Sequence, residues 1–141
     1  MVIMQGKNAW RRKVIFMKIA IIDKDAVNRQ QLAQMISGCL VRGDPDRTYI
    51  EVSEYEDGLQ ALNTFSHMRF AGIFISVESI EDFEAAWKLH NIDKKCRMVF
   101  MSTSNEFSVI SYRLKVVHYL QKPIETEQVE EALRRLKTEQ T

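Results

Sequence analysis

The chain has 141 residues, an apolar fraction of 45% and a net charge of +1 at pH 7, which suits one domain with an ordinary core. It has no apolar run near the ~20 residues of a membrane span and no signal-peptide cleavage pattern, so we expect a cytoplasmic protein that does not contact membranes. Cys39 and Cys96 lack the spacing of metal ligands and suit core packing in a reducing compartment.

The charge is distributed unevenly along the chain. Residues 1–16 carry four basic side chains and no acid, which leaves 16 basic against 19 acidic residues in the rest, a net charge of about −3. We predict that residues 1–16 form a flexible basic arm and that residues 17–141 form the domain. A domain with a net negative charge is not expected to bind nucleic acid.

Strand-like and helix-like segments alternate along the domain. Near-continuous apolar runs of strand length predict strands buried on both faces, and alternation of polar and apolar residues predicts the strand at 48–54. Apolar residues spaced by three and four predict amphipathic helices. Strands are predicted at about 18–23, 48–54, 73–75, 98–101 and 116–121. Helices are predicted at about 26–40, 56–65, 83–90, 106–113 and 126–137.

Three of the predicted helices have a clear apolar face. These positions are Val27, Leu32, Met35, Ile36 and Cys39 in the first helix, Leu59, Leu62 and Phe65 in the second, and Val129, Leu133 and Leu136 in the last. The last helix also spaces acids and arginines to pair one turn apart, as Glu130–Arg134 and Glu131–Arg135.

Five alternations of strand and helix predict parallel strands joined by right-handed crossovers. The result is an α/β fold of three layers, a doubly wound five-stranded parallel sheet with helices on both faces. Ligand sites in such sheets lie at the carboxyl ends of the strands. The polar residues at those ends are Asp23, Lys24, Asp25, Ser76, Ser102 and Lys122.

Lys122 directly follows the last predicted strand and precedes Pro123. Proline cannot donate to a sheet ladder and pushes the residue before it toward extended geometry. We therefore predict that the Lys122 ammonium projects over the carboxyl edge of the sheet. There Lys122 or Lys24 can pair with Asp23 or Asp25 in a locked charge cluster.

These residues resemble the receiver domain of two-component response regulators over about residues 17–137. The segments IAIID, EDGLQAL and HYLQKPI look most like receivers of LytTR-class transcription regulators. The resemblance implies a flavodoxin-like receiver fold in phosphorelay signal transduction. In that family the acids after the first strand hold magnesium, and an aspartate ending the third strand accepts phosphate. A hydroxyl after the fourth strand and a lysine before the proline bind the phosphoryl oxygens. By position, Asp23 is the first of the acids, Ser102 supplies the hydroxyl and Lys122 is the lysine.

Two positions depart from the family pattern. Lys24 replaces the second acid, and Ser76 in FISVES stands where the family has an aspartate, as in LDIEMP. Receiver chemistry needs a carboxylate nucleophile and a divalent ion, so we expect no catalytic residue and no cofactor, with magnesium disfavoured. Asp23 and Asp25 are weak metal candidates, since Asp25 also suits a helix N-cap. Glu78, beyond the strand end, is a second weak substitute.

We therefore predict a pseudo-receiver, not an enzyme, that works by phosphate-independent contact with a protein partner or a second copy. The resemblance places that contact on the fourth helix, fifth strand and fifth helix, which carry Tyr112, Tyr119 and Arg134. The alternative for Tyr119 is an aromatic at the edge of the core, and the alternative for the helix charges is a solvated face.

Two other functions stay open at this stage. The chain can be the receiver part of a longer DNA-binding transcription regulator that still binds phosphate or metal. A flavin carrier or enzyme on the same architecture is disfavoured, because the first strand is not followed by a phosphate loop and no dinucleotide or nucleophile-elbow motif is present. His67, His90 and His118 lack ligand spacing and suit structural or surface positions.

Overall fold

The computed structural model describes residues 14–41, 47–65 and 69–138. Within these residues the strands are β1 (Val14–Ile22), β2 (Arg47–Tyr55), β3 (Gly72–Ser76), β4 (Arg97–Ser102) and β5 (Val116–Gln121). The α-helices are α1 (Ala26–Val41), α2 (Gly58–Phe65), α3 (Ile80–Ile92) and α4 (Thr126–Thr138), and a 3₁₀ helix at Ile110–Leu114 precedes β5.

The strands form one parallel sheet in the order β2-β1-β3-β4-β5. The predicted doubly wound α/β fold with a five-stranded parallel sheet is therefore confirmed. The register places Ile22 beside Ile75, Ser76 beside Met101 and Ser102 beside Gln121. Because these pairs are the last of each ladder, the carboxyl ends of β1, β3, β4 and β5 meet at one edge of the sheet.

The core lies in two layers, one on each face of the sheet. Ile73 and Ile75 of β3 pack into a cluster with residues of α2 and α3, while Phe74 between them packs into a cluster with residues of α1 and α4. This alternation follows from the two-residue side-chain period of a strand. All three side chains are at most 1% exposed, as expected for a strand covered on both faces.

The first strand is longer than predicted. β1 begins at Val14 instead of residue 18, and it pairs with β2 residue by residue from Val14 onward. Residues 14–16, which the prediction assigned to the basic arm, therefore belong to the sheet. The prediction missed them because the exposed Phe16 gains its contact only across strands, by stacking on Tyr49. The rest of the flexible arm predicted for residues 1–16, namely residues 1–13, lies outside the described residues.

Two apolar positions and one helix were predicted incorrectly. Val27 and Leu59 are 61% and 69% exposed, so neither belongs to the buried face of its helix. The fourth helix is a 3₁₀ helix at Ile110–Leu114, closed by Lys115 with a left-handed φ of 54°. The stripe of the last helix is confirmed, with all three predicted side chains at most 6% exposed. Among the helices of the described residues, none is long and apolar enough to cross a bilayer.

Candidate functional site

The centre of the carboxyl edge is the ammonium of Lys122. The backbone N–H of Lys122 donates to the Ser102 carbonyl at 2.7 Å, which continues the pairing of β5 with β4 by one residue. Its Nζ donates to Asp23 Oδ2 at 3.0 Å and to Ser76 Oγ at 2.8 Å, and lies 3.4 Å from Glu78 Oε2. The predicted projection of this ammonium over the sheet edge is confirmed.

Asp23 is the buried partner of this ammonium. The side chains of Lys122 and Asp23 are 13% and 6% exposed, so the pair is largely withdrawn from water. The second carboxylate oxygen, Oδ1, accepts from the Asp25 backbone N–H at 2.9 Å. Arg29 Nη1 donates to the Asp23 carbonyl at 2.6 Å and fixes the backbone there. Both oxygens of the Asp23 carboxylate are thus engaged by donors of the chain itself.

Lys24 and Asp25 take no part in that pair. Lys24 is 72% exposed and lies 3.9 Å from Asp82 at the start of α3. Asp25 Oδ1 accepts from the backbone N–H groups of Val27 at 2.9 Å and Asn28 at 3.2 Å. Asp25 is therefore the N-cap of α1, which was the alternative to its role as a metal ligand. Of the possible charge clusters, the structure forms the one between Lys122 and Asp23.

Glu78 was placed past the strand end, yet its carboxylate faces the site. Oε1 accepts from Ser102 Oγ at 3.0 Å, from the Thr103 N–H at 3.1 Å and from Thr103 Oγ1 at 2.9 Å. The prediction did not include Thr103 among the site residues. For Glu78 the sequence did contain a local signal, the helix-capping pattern Ser79-x-x-Asp82, because this cap fixes the backbone next to Glu78. Ser79 Oγ accepts from the Asp82 N–H, and Asp82 Oδ2 accepts from the Glu78 N–H.

The surroundings of Glu78 favour its charged form. Partial burial on its own raises the pKa of this carboxyl group. The hydrogen bonds from Thr103 and Ser102 and the nearby charge of Lys122 outweigh that effect and lower the pKa below its usual range. Glu78 therefore stays a carboxylate at neutral pH.

The donor set does not fit the magnesium ion that the family resemblance implies. Magnesium prefers about six hard oxygen ligands in octahedral geometry. Here Lys24 and Ser76 supply no carboxylate, and the Asp25 carboxylate caps a helix. The Lys122 ammonium binds Asp23 Oδ2, the carboxylate oxygen that the Asp25 N–H does not bind. In the described part of the chain, no group of three or more His, Cys, Asp or Glu side chains is arranged to hold a metal ion.

The predicted interaction residues differ in their surroundings. Tyr112 on the 3₁₀ helix is 87% exposed. Tyr119 is half-buried, and its hydroxyl donates to the Ser104 carbonyl at 3.0 Å while its ring packs on Phe100, which is the core-edge position considered as the alternative. Arg134 is exposed and binds Glu131. The predicted Glu131–Arg135 pair is also present, at 2.8 Å.

The remaining candidate side chains have structural positions in the described residues. His90 is buried with Nδ1 unpaired, and burial together with nearby lysines lowers its pKa. Burial also lowers the pKa of the half-buried His118. Cys96 is 4% exposed in the core, as predicted, and burial raises its pKa to about 12. His67 lies outside the described residues.

Sequence comparison finds distant relatives. No family model matches the chain. The transcriptional regulatory protein YpdB of Escherichia coli (strain K12) is 24% identical over 123 residues, which cover 85% of this chain and 47% of YpdB. The chain therefore spans about half the length of the curated relatives that it matches.

Comparison with solved structures finds the same architecture in signalling domains. The response regulatory domain of the protein mrkE from Klebsiella pneumoniae matches with a TM-score of 0.73 at 23% identity, over 89% of this chain and 100% of that one. A two-component response regulator from Clostridium difficile matches with a TM-score of 0.72 at 22% identity, over 89% and 98%. A CheY-like receiver domain from Methanospirillum hungatei matches with a TM-score of 0.68 at 20% identity, over 88% of this chain and 98% of that one. The fold of this chain is therefore the fold of response-regulator receiver domains.

Proposed function

We propose that this chain is a receiver-like domain of two-component signal transduction that acts by binding a protein partner and not by accepting phosphate. The observation that carries the proposal is the Lys122 ammonium, held 2.8 Å from Ser76 Oγ and 3.0 Å from Asp23 Oδ2. In the family pattern, position 76 is an aspartate that receives the phosphoryl group. A serine hydroxyl supplies neither that negative charge nor a labile acyl phosphate.

The internal pairing of the site supports a phosphate-independent role. Phosphoryl transfer needs a divalent cation to offset the charge of the transferred group, and the donor set around Asp23 does not fit one. A serine nucleophile also needs a general base, whereas the oxygen of Ser76 already accepts a hydrogen bond from a cation. The chain accordingly has no proposed catalytic residue and no proposed cofactor.

The proposed contact surface comprises the 3₁₀ helix, β5 and α4. The 3₁₀ helix and the residue before it expose large side chains, with Val109 at 84% and Tyr112 at 87%. The exposed face of α4 carries both signs of charge, including Arg134 and Glu131. A surface that presents apolar groups beside both signs of charge suits a second copy of the same chain, because in a twofold contact a basic residue of one copy can face an acidic residue of the other. We propose no binding of nucleic acid or of a membrane by this domain.

The phosphate-independent mechanism is tested by a two-dimensional NMR titration of the chain with magnesium and then beryllofluoride. We expect no saturable shift of the Ser76, Ser102 or Lys122 amides, because the carboxylate that coordinates beryllium in a receiver is missing. Saturable shifts of these amides would contradict the mechanism.

The contact surface is tested by sedimentation equilibrium over a range of protein concentrations. We expect a monomer–dimer equilibrium that Tyr112→Ser weakens about tenfold or more, since exposed aromatic side chains dominate many interfaces. Tyr49→Ser is the matched control, because Tyr49 is also exposed but lies on the β2 edge. A chain that stays monomeric at all concentrations rules out a second copy and leaves a different protein as the partner.

A second candidate is the receiver part of a longer transcription regulator of the LytTR class. It is favoured by the match to a transcriptional regulatory protein of about twice the matched length. The DNA-binding activity then belongs to residues outside this domain. The reading frame of the encoding gene beyond Thr141 tests this candidate, because a following DNA-binding domain would support it.

A further inference from the structure

Four hydrogen-bond donors converge on the carboxylate of Glu78. They are the hydroxyl of Ser102, the backbone N–H and hydroxyl of Thr103, and the ammonium of Lys122, at 2.9–3.4 Å from a carboxylate oxygen. A group of donors that includes a backbone N–H and an ammonium is a typical site for an oxyanion. We name these three residues the anion pocket.

The main contacts that position the anion pocket do not involve the Glu78 side chain. Ser102 is fully buried, and its hydroxyl oxygen also accepts from the Ser104 N–H at 3.2 Å. The Lys122 N–H donates to the Ser102 carbonyl at 2.7 Å. The ammonium of Lys122 has its own partners in Asp23 and Ser76. Ser102 and Lys122 are thus held by contacts of their own at neighbouring strand ends, whereas the N–H and hydroxyl of Thr103 bind Glu78.

Glu78 reaches this pocket from outside the core. Its side chain is 34% exposed, and its backbone is held by the hydrogen bond from its N–H to Asp82 at the start of α3. The carboxylate is therefore an anion attached to the chain by the loop between β3 and α3. A tethered ligand outcompetes a free one because its effective concentration is high.

The pocket is connected to the proposed contact surface. Ser104 donates its N–H to Ser102 Oγ and accepts from the Tyr119 hydroxyl at 3.0 Å. A chain of hydrogen bonds therefore links the group that fills the pocket, through Ser102 and Ser104, to Tyr119 on β5.

We propose that Glu78 is a built-in anion that permanently fills the anion pocket and holds the 102–104 loop and Tyr119 in one arrangement. When the Glu78 carboxylate is removed, the pocket takes a free tetrahedral oxyanion in its place. This inference rests on the proposed function, since it explains how a receiver-like domain keeps one state without phosphate.

The test is an NMR titration with sodium sulfate against sodium chloride at matched ionic strength, for the wild-type chain and for Glu78→Ala. In the wild type we expect no saturable shift of the Thr103 amide. In the variant the Thr103 amide and the Tyr119 side-chain signals move, and sulfate returns them toward their wild-type positions with an affinity at least about tenfold above that of the wild type. Glu84→Ala, which removes an exposed acid of α3, is the matched control and behaves as the wild type.

Two further variants keep the test decisive. Glu78→Gln preserves the size of the side chain but not its charge, and is expected to gain weaker sulfate binding at the same amides if Glu78→Ala proves unstable. Adding Ser102→Ala to either variant is expected to abolish the response. Sulfate binding by the wild type at Thr103, or none by either Glu78 variant, would overturn the inference. The proposed function fails separately, by a response of the wild type to magnesium and beryllofluoride.

Discussion

Replacing Lys122 by Met tests whether the central ion pair stabilises the domain. Methionine keeps the length and apolar stem of the lysine and removes the charge and its donors. Among the described residues, the carboxylate of Asp23, which is only 5% exposed, then keeps one hydrogen bond, from the Asp25 N–H. Ser76 also loses its donor at 2.8 Å. The substitution therefore leaves a buried carboxylate without its counter-charge.

The expected size of the effect follows from the geometry. At the 3.0 Å separation of Lys122 Nζ and Asp23 Oδ2, two unit charges attract by about 5–6 kcal/mol at an effective dielectric constant of about 20, before desolvation is counted. Removing one partner of a buried pair typically costs about 3–5 kcal/mol. We expect the free energy of unfolding to fall by about 3 kcal/mol, the lower end of this range, because the Asp25 N–H still donates a hydrogen bond to Asp23. Domains of this size have a total stability of only about 5–15 kcal/mol.

The assay is urea unfolding at pH 7, followed by circular dichroism. Lys24→Met is the matched control, because Lys24 is 72% exposed and its ion pair at 3.9 Å is expected to contribute less than about 0.5 kcal/mol. The double variant Asp23→Asn with Lys122→Met closes a thermodynamic cycle, and we expect a coupling of about 2 kcal/mol. A loss below about 1 kcal/mol for Lys122→Met, or equal losses for both lysines, would refute the reasoning.

Three further predictions concern packing, pH and thiol reactivity. Gly58→Ala brings a new Cβ to 2.3 Å from Ala85 Cβ, so we expect urea unfolding to show a loss of about 1–3 kcal/mol. Because the pKa of His90 is lowered from 6.5, its contribution to stability is complete above about pH 6.5 and falls as the pH drops toward the folded-state pKa. Since the pKa of Cys96 is raised to about 12, a thiol reagent at pH 7.5 or so is expected to label Cys39 first and Cys96 only after unfolding.

Each of these predictions has a control. Gly38→Ala, with nothing within 4 Å of the new Cβ, is expected to stabilise α1 by about 0.5–1 kcal/mol, and a gain for Gly58→Ala as well would contradict the packing argument. His90→Phe removes the titrating group, so an unchanged slope of stability against pH below 6.5 would contradict the role of His90. Equal labelling rates for the two native thiols would contradict the burial of Cys96.

The sequence patterns predicted those parts of the fold that depend on one segment at a time. Apolar runs located four of the strands, alternation located β2, and the Lys-Pro corner located Lys122 at a strand end, because all three signals are local. Predictions failed where a partner segment decides the outcome. The start of β1 at Val14 depends on pairing with β2, and the exposure of Val27 and Leu59 depends on where each helix meets the sheet.

The sequence by itself determined the class of the fold, the edge of the sheet at which the candidate site lies, and the presence of a lysine at position 24 and a serine at position 76 of that edge. Only the tertiary structure decided that Lys122 pairs with Asp23, and that Glu78 turns back onto Ser102 and Thr103. The physical reason is that these contacts join strand ends 24 to 99 residues apart in the chain, and no local pattern records them. The order of the strands in the sheet brings those ends together.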